Sequence, residues 1–190
     1  MTGLKGGLLR VARLTALICL VALFKVADSA HGQELWALRG SFSWVLADDD
    51  FDPVDNLFGA SLGLLRDVGT HFRVGGELQW ITGDEDFAAL DWISALAVFE
   101  YSFLGDYADS YDVYVNLALG GMYVDSRGFS GGDDEDVAFA VRPAVGLDLF
   151  LTEHVALNLQ AGYLVSEVTL AGRELDAAGL EGKVGLTVIY

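Results

Sequence analysis

From Leu35 onward large apolar side chains recur at every second position, and no stretch keeps the three-to-four spacing of an amphipathic helix. A period of two marks a strand with one apolar face, and eight such runs follow one another. The first sets Trp36, Leu38, Gly40, Phe42, Trp44 and Leu46 against Ala37, Arg39, Ser41 and Ser43. The second sets Phe58, Ala60, Leu62 and Leu64 against Gly59, Ser61 and Gly63. In the third, Phe72, Val74, Gly76, Leu78 and Trp80 oppose Arg73, Gly75, Glu77 and Gln79. The fourth is less regular: Ile93, Ala95, Ala97, Phe99, Tyr101 and Phe103 share a face, with Ser94, Leu96, Val98, Glu100 and Ser102 behind them.

The pattern continues to the last residue. Run five places Val113, Val115, Leu117, Leu119, Gly121 and Tyr123 opposite Tyr114, Asn116, Ala118 and Gly120. Run six places Phe139, Val141, Pro143, Val145, Leu147 and Leu149 opposite Ala140, Arg142, Ala144, Gly146 and Asp148. Pro143 has no N–H for a ladder, so a local bulge is expected there. Run seven shows Val155, Leu157, Leu159, Ala161 and Tyr163 against Asn158, Gln160 and Gly162, and run eight shows Leu180, Gly182, Val184, Leu186, Val188 and Tyr190 against Glu181, Lys183, Gly185 and Thr187. Connections alternate in length. Three are short (66–71, 104–111 and 151–154), and the other four are longer and acidic, holding Asp48-Asp49-Asp50, Asp84-Glu85-Asp86, Asp133-Asp134-Glu135-Asp136 and the stretch from Glu167 to Asp176. Short turns at one end and long loops at the other are the plan of an up-and-down transmembrane barrel.

Alternation alone does not say which face is the core. In a soluble eight-stranded barrel the apolar face points inward around a small ligand. Here that face carries many bulky side chains, Trp36, Trp44 and Trp80 among them, and an eight-stranded interior has no room for them. The opposite face is mostly Gly, Ala and Ser with a balanced set of charges: Arg39, Arg73, Arg142 and Lys183 against Glu77, Glu100, Asp148 and Glu181. Buried charges persist when paired, so these residues are expected to form an ion-pair network filling the lumen, with small residues around it. No residue assigned to the apolar face is charged. Its aromatic residues fall near the strand ends: Trp44, Phe58, Trp80, Tyr123, Phe139 and Tyr163 at the long-loop end, and Trp36, Phe72, Tyr101, Phe103 and Tyr190 at the other. Two such girdles suit the two interfaces of a membrane.

Composition agrees. Mean hydropathy is +0.39 in spite of a formal net charge of −17. No run of 18 apolar residues suggests a membrane-spanning helix, and 23 glycines with two prolines favour sheet. Residues 1–32 read as a secretory signal: Lys5, Arg10 and Arg13 precede an apolar core from Leu14 to Phe24, and Ala30-His31-Gly32 offers a cleavage site before Gln33, with cleavage after Ser29 as the second choice. Cys19 lies inside that segment behind Ile18, which argues against lipidation and leaves residues 33–190 without a thiol. That remainder carries 7 basic and 27 acidic residues, a net charge of −20, which excludes nucleic acid as a partner.

The last nine residues, Gly182 to Tyr190, carry a polar residue at Lys183, then Gly185, Val188 and a terminal aromatic, Tyr190. This segment resembles the assembly signal of outer-membrane proteins. The chain as a whole resembles the small-barrel superfamily that includes OmpX, the OmpA barrel domain and the opacity-type adhesins. The resemblance implies an all-β, eight-stranded antiparallel barrel of residues 33–190, inserted by the barrel assembly machinery with periplasmic chaperones. It implies contact with outer-membrane lipids and lipopolysaccharide, and a monomer. The turn pattern puts both barrel termini in the periplasm, and since the chain stops at strand eight no appended peptidoglycan-binding domain is expected.

Chemistry is sparse. Some small outer-membrane barrels are enzymes, but the only histidines after the signal, His71 and His154, fall in short turns away from the long loops. No catalytic residue, cofactor or metal site is therefore expected. Asp48, Asp50 and Asp52 have the opening spacing of a calcium loop, yet Pro53 and Gly59 stand where that loop needs Gly and a bidentate Glu. Loose divalent-cation binding by the acidic loops stays open. Three functions follow: a structural or surface-interaction barrel, a narrow solute channel, and a soluble periplasmic ligand-binding barrel. The first is preferred because a filled lumen opposes conduction and external loops carry specificity.

Overall fold

The computed structural model describes residues 35–47, 56–85, 88–104, 110–127, 133–170 and 173–190. The expected signal peptide (1–32) and the Asp48–Asp50 run lie outside the described residues. The described chain is all strand and turn: β1 (Trp36–Ala47), β2 (Asn56–Asp67), β3 (Phe72–Glu85), β4 (Ala88–Ser102), β5 (Tyr111–Arg127), β6 (Asp133–Thr152), β7 (Val155–Leu170), β8 (Arg173–Asp176) and β9 (Gly179–Ile189). Every pairing is antiparallel between neighbours, and β1 closes on β9 from Ala37↔Ile189 to Ala47↔Gly179. Mutual backbone bonds between Trp36 and Tyr190, 2.9 Å each, clamp that seam at its lower end. Full closure leaves no sheet edge in the wall.

Nine segments make eight staves. β7 pairs with β9 up to Leu164↔Gly179 and then with β8 from Glu167↔Asp176, in unbroken register. β8 is thus the outer part of the eighth stave, parted from β9 only by Ala177 and Ala178. The acidic runs assigned above to loops need correcting. Asp84 and Glu85 end β3, Asp133–Asp136 open β6, and Glu167 and Asp176 pair across β7 and β8. Past the apolar band water reaches both faces of a strand, so polar residues no longer alternate with apolar ones and the strand signal fades. The bulge expected at Pro143 is also absent. Register between β6 and β7 is the same on both sides of Pro143, from Val141↔Val165 to Ala144↔Gly162, with the ladder merely interrupted; the irregularity sits at Phe150–Thr152. A proline can thus lose one ladder bond without adding a residue to its strand.

Which residues face outward follows from the alternation. Leu38, Phe42, Trp44, Phe58, Leu62, Phe72, Leu78, Trp80, Ile93, Phe99, Phe139 and Val145 are exposed, whereas Arg39, Ser43, Gln79, Glu100, Asn116, Arg142, Asn158 and Lys183 between them are buried. The sheet is inverted relative to a soluble protein.

Candidate functional site: the closed lumen

Eight inward-pointing staves bring together residues far apart in sequence, in three layers. Toward the short-turn end, Arg39 from β1 reaches across the lumen to Glu100 on β4 (Nη1–Oε2, 2.9 Å) and Asp148 on β6 (Nη2–Oδ2, 3.1 Å), while its Nε donates to Thr187 at 3.2 Å. Arg73 on β3 bonds the other oxygen of Glu100 (2.7 Å) and Asp112 on β5 (2.9 Å), and its Nε lies 3.3 Å from Asp67. Asn158 donates to Asp148 at 2.6 Å and Ser102 to Asp112 at 2.6 Å. The Arg39 guanidinium lies 4.8 Å from the centre of the Tyr114 ring, a cation–π contact out of water.

The second layer is built on Glu77. Arg142 on β6 grips its two oxygens at 2.7 and 3.1 Å, a bidentate fork, and Lys183 on β9 adds a third bond at 2.6 Å. Glu181 lies beside both cations (3.3 and 3.5 Å) and accepts a hydrogen bond from Gln79. Charge-assisted bonds of this kind are about twice as strong as neutral ones. They join staves that are not neighbours, so they brace the barrel across its width as the ladders cannot.

The eight charged residues singled out from the sequence all lie in these two layers. Sequence reasoning missed Asp112, buried with Arg73, because run five was begun one residue too late. Extending its alternation back from Tyr114 would have found it. The lumen is also not filled by charged and small residues alone, and this is a correction. A third layer, toward the long-loop end, is apolar: Val45, Leu57, Ile81, Leu90, Trp92, Met122, Val124 and Leu164 form one buried cluster, closed by Val168 and Ala177. Trp92 is 1% exposed. Run four was started at Ile93, and Trp92 and Leu90 continue its inner face outward by one and two steps. On the same inner face Gly59 and Gly120 stand so close to the neighbouring staves that a Cβ there would lie 2.0 Å from the Trp80 and Ala95 carbonyl oxygens. Trp92→Ala should cost about 3–5 kcal/mol by leaving a cavity; equilibrium unfolding in urea, followed by the other tryptophans, measures it.

The aromatic residues of the two girdles lie on the outside. Trp44, Phe72, Trp80, Phe139, Tyr163 and Tyr190 are exposed, and Trp36, Tyr101 and Tyr123 half-buried. Phe72, Tyr101 and Phe103 form an edge-on aromatic chain (centroids 5.0 and 5.5 Å), and His71 stacks on Tyr101. The Tyr123 hydroxyl donates to Glu135 at 2.5 Å. Of the C-terminal motif, Lys183 is the ion-pair partner already described, Gly185 lies on the inner face, and Val188 and Tyr190 point out. His71 sits in the turn before β3, where Nδ1 is 3.0 Å from the Ser102 carbonyl, and His154 in the turn before β7.

No protein-family profile matches the chain, and no curated protein matches it. Solved structures do. The chain is similar to the outer membrane protein OprG from Pseudomonas aeruginosa (TM-score 0.57, 14% identity, covering 85% of this chain and 98% of that one). It is similar to Neisserial surface protein A (0.61, 13%, 84% and 99%) and to Ail, the attachment invasion locus protein of Yersinia pestis (0.54, 14%, 85% and 100%). At these identities the likeness is one of fold, over nearly the full length of each relative. The chain has the closed eight-stranded antiparallel fold of the small outer-membrane β-barrels.

Proposed function

We propose that this chain is an outer-membrane barrel with a non-catalytic, structural or surface-interaction role, its acidic strand ends and loops facing the outside. The observation that carries this reading is the inverted sheet. Between Arg66 at one end and Asp91, Asp125, Glu135 and Glu167 at the other, no outward residue among the described ones is charged, while the exposed wall bears residues as large as Leu78 (63% exposed) and Phe139 (65%). A soluble monomer rarely shows an apolar patch beyond a few hundred Å². Hydrocarbon accounts for such a wall and water does not.

The strands overrun the apolar wall at the acidic end, where Asp84 and Glu85 end β3 and Asp133–Asp136 open β6; that end is assigned to the outside, and the opposite end, with both barrel termini, to the periplasm, as in other barrels of this plan. The acidic ends then stand at the lipopolysaccharide surface. Assembly machinery and periplasmic chaperones would read the Lys183, Gly185, Val188 and Tyr190 motif, and the barrel works as a monomer. Two charged layers and an apolar one obstruct the lumen, so it conducts no solute. Neisserial surface protein A and Ail carry surface and attachment roles in their names, which supports a role at the cell surface here without naming a partner.

The test is fractionation and refolding. Expected is recovery with the outer membrane, heat-modifiable gel mobility in detergent, and no unitary current in planar bilayers. Soluble protein in osmotic-shock fluid, or stable unitary currents, would contradict the reading. Leu78→Arg, mid-wall, should cost about 2–4 kcal/mol in vesicles, whereas a soluble barrel would tolerate it; urea unfolding of the reconstituted protein decides.

A further inference from the structure

The outer wall is not evenly convex. A groove of about 490 Å³ crosses five staves, from Trp44 on β1 over Gly182 on β9 and Ala161 on β7 to Val145 on β6 and Val113 on β5. Register accounts for the depression. Gly182 pairs with both Trp44 and Ala161, and Ala161 pairs with Val145, so two small outward residues sit side by side between bulkier ones. Leu180 rises on one bank and Leu159 on the other. The Trp44 indole lies over Gly182 so closely that a Cβ there would come within 2.1 Å of the ring, and the indole walls the outer end. Gln160, Glu181 and Lys183 border the groove, but their side chains are buried and bonded inside the lumen. The surface offered outward is hydrocarbon.

We infer that this groove seats one acyl chain of a lipid in the external leaflet, entering beside Trp44 and Leu180. The inference rests on the lipid-facing wall of the proposed function and goes beyond it by distinguishing one bound chain from the surrounding lipid. Transfer from bilayer to groove carries no hydrophobic gain, because both are apolar; the preference comes from packing. A chain in the trough is touched by floor and both banks, and about ten extra atom contacts amount to roughly a tenfold preference over the open wall. Strands of such barrels tilt by about 35–45°. A row of cross-strand partners is therefore inclined to the membrane plane, as a descending chain requires. A second copy of the barrel suits the site poorly: 12 residues line it, against about 20–30 a side in a stable interface.

The experiment places the full chain in vesicles of saturated-chain phosphatidylethanolamine and weighs it by native mass spectrometry after release. Expected is a monomer retaining one phospholipid. Ala161→Phe, which fills the floor, should lower that retention about tenfold, and Ala60→Phe, outward on β2 away from the groove, should leave it unchanged. If Ala161→Phe does not fold, Val145→Trp at the far end serves in its place. Equal retention in groove and control variants, a wild-type chain released bare, or a dimer in place of the lipid-bound monomer would overturn the inference. Heat-modifiable mobility in the same vesicles reports insertion separately. A chain that inserts yet keeps no lipid overturns the groove alone, and one that never inserts overturns the membrane reading.

Discussion

Arg39→Met should destabilise the folded barrel by about 3–5 kcal/mol, the cost of leaving a buried charge without its partner. Arg39 and Arg73 are the two guanidinium groups at 2.7–3.1 Å from Glu100, Asp112 and Asp148, and all five residues are buried. With Arg39 gone, Arg73 faces the three buried carboxylates in addition to Asp67, and Thr187 and the Tyr114 ring lose their cation too. Methionine keeps most of the volume, so the loss is one of charge. The double variant Arg39→Met with Asp148→Asn should recover part of it, because it removes one carboxylate with one cation and leaves Asn158 a partner. Arg39→Lys should fall between, since a point charge cannot hold Glu100 and Asp148 together as a planar fork does. Urea unfolding in vesicles gives all three values. A loss below about 1 kcal/mol for Arg39→Met would mean that the site is wet enough to screen its charges, as at a surface.

Gly75→Val should stop the barrel from closing, at a cost of about 3 kcal/mol or more. Gly75 is an inner-face residue of β3 paired with Leu65 on β2 and Val98 on β4. A Cβ at Gly75 would lie 2.0 Å from the Leu64 carbonyl oxygen and 2.8 Å from the Leu65 Cα. Those are backbone atoms, which cannot swing aside as a side-chain tip does. Adjacent staves bend toward each other on the concave side of so narrow a barrel, and glycine lets them meet. Gly40→Val is the matched control: it lies on the outer face of β1, and a Cβ there has nothing within 4 Å. Heat-modifiable mobility after refolding should survive Gly40→Val and be lost in Gly75→Val; survival of both would show that β2 and β3 can spread at Gly75.

The division of residues between the two faces was legible because a period of two needs no knowledge of partners. Trp80 and Gln79 declare opposite sides by adjacency alone, and an exposed apolar wall around a polar interior makes the contrast stronger than in a soluble sheet. The ion-pair residues were legible as a set for the same reason, since a charge on the small-residue face has nowhere to go but inward. Their pairing was not. That Arg39 meets Glu100 and Asp148, while Arg142 and Lys183 share Glu77, depends on how eight staves are staggered around the axis, which local sequence does not encode. Trp92 and Asp112 were missed for a different reason: each lies just past the point where its strand was judged to begin. Trp92 also reads as one more aromatic at a membrane rim until its parity with Ser94 is followed. The apolar layer it anchors changes the picture of the lumen from a charged plug to a charged plug beneath a greasy septum.

All four tryptophans report on which face meets lipid, and they divide unequally: Trp44 and Trp80 exposed and Trp36 half-buried on the wall, Trp92 sealed in the lumen. Four single-tryptophan variants, refolded into vesicles whose chains carry bromine, would be compared by fluorescence quenching against unbrominated vesicles. Strong quenching at Trp36, Trp44 and Trp80 with Trp92 silent is the predicted result. Quenching confined to Trp92, or none at the other three, would contradict the inverted sheet.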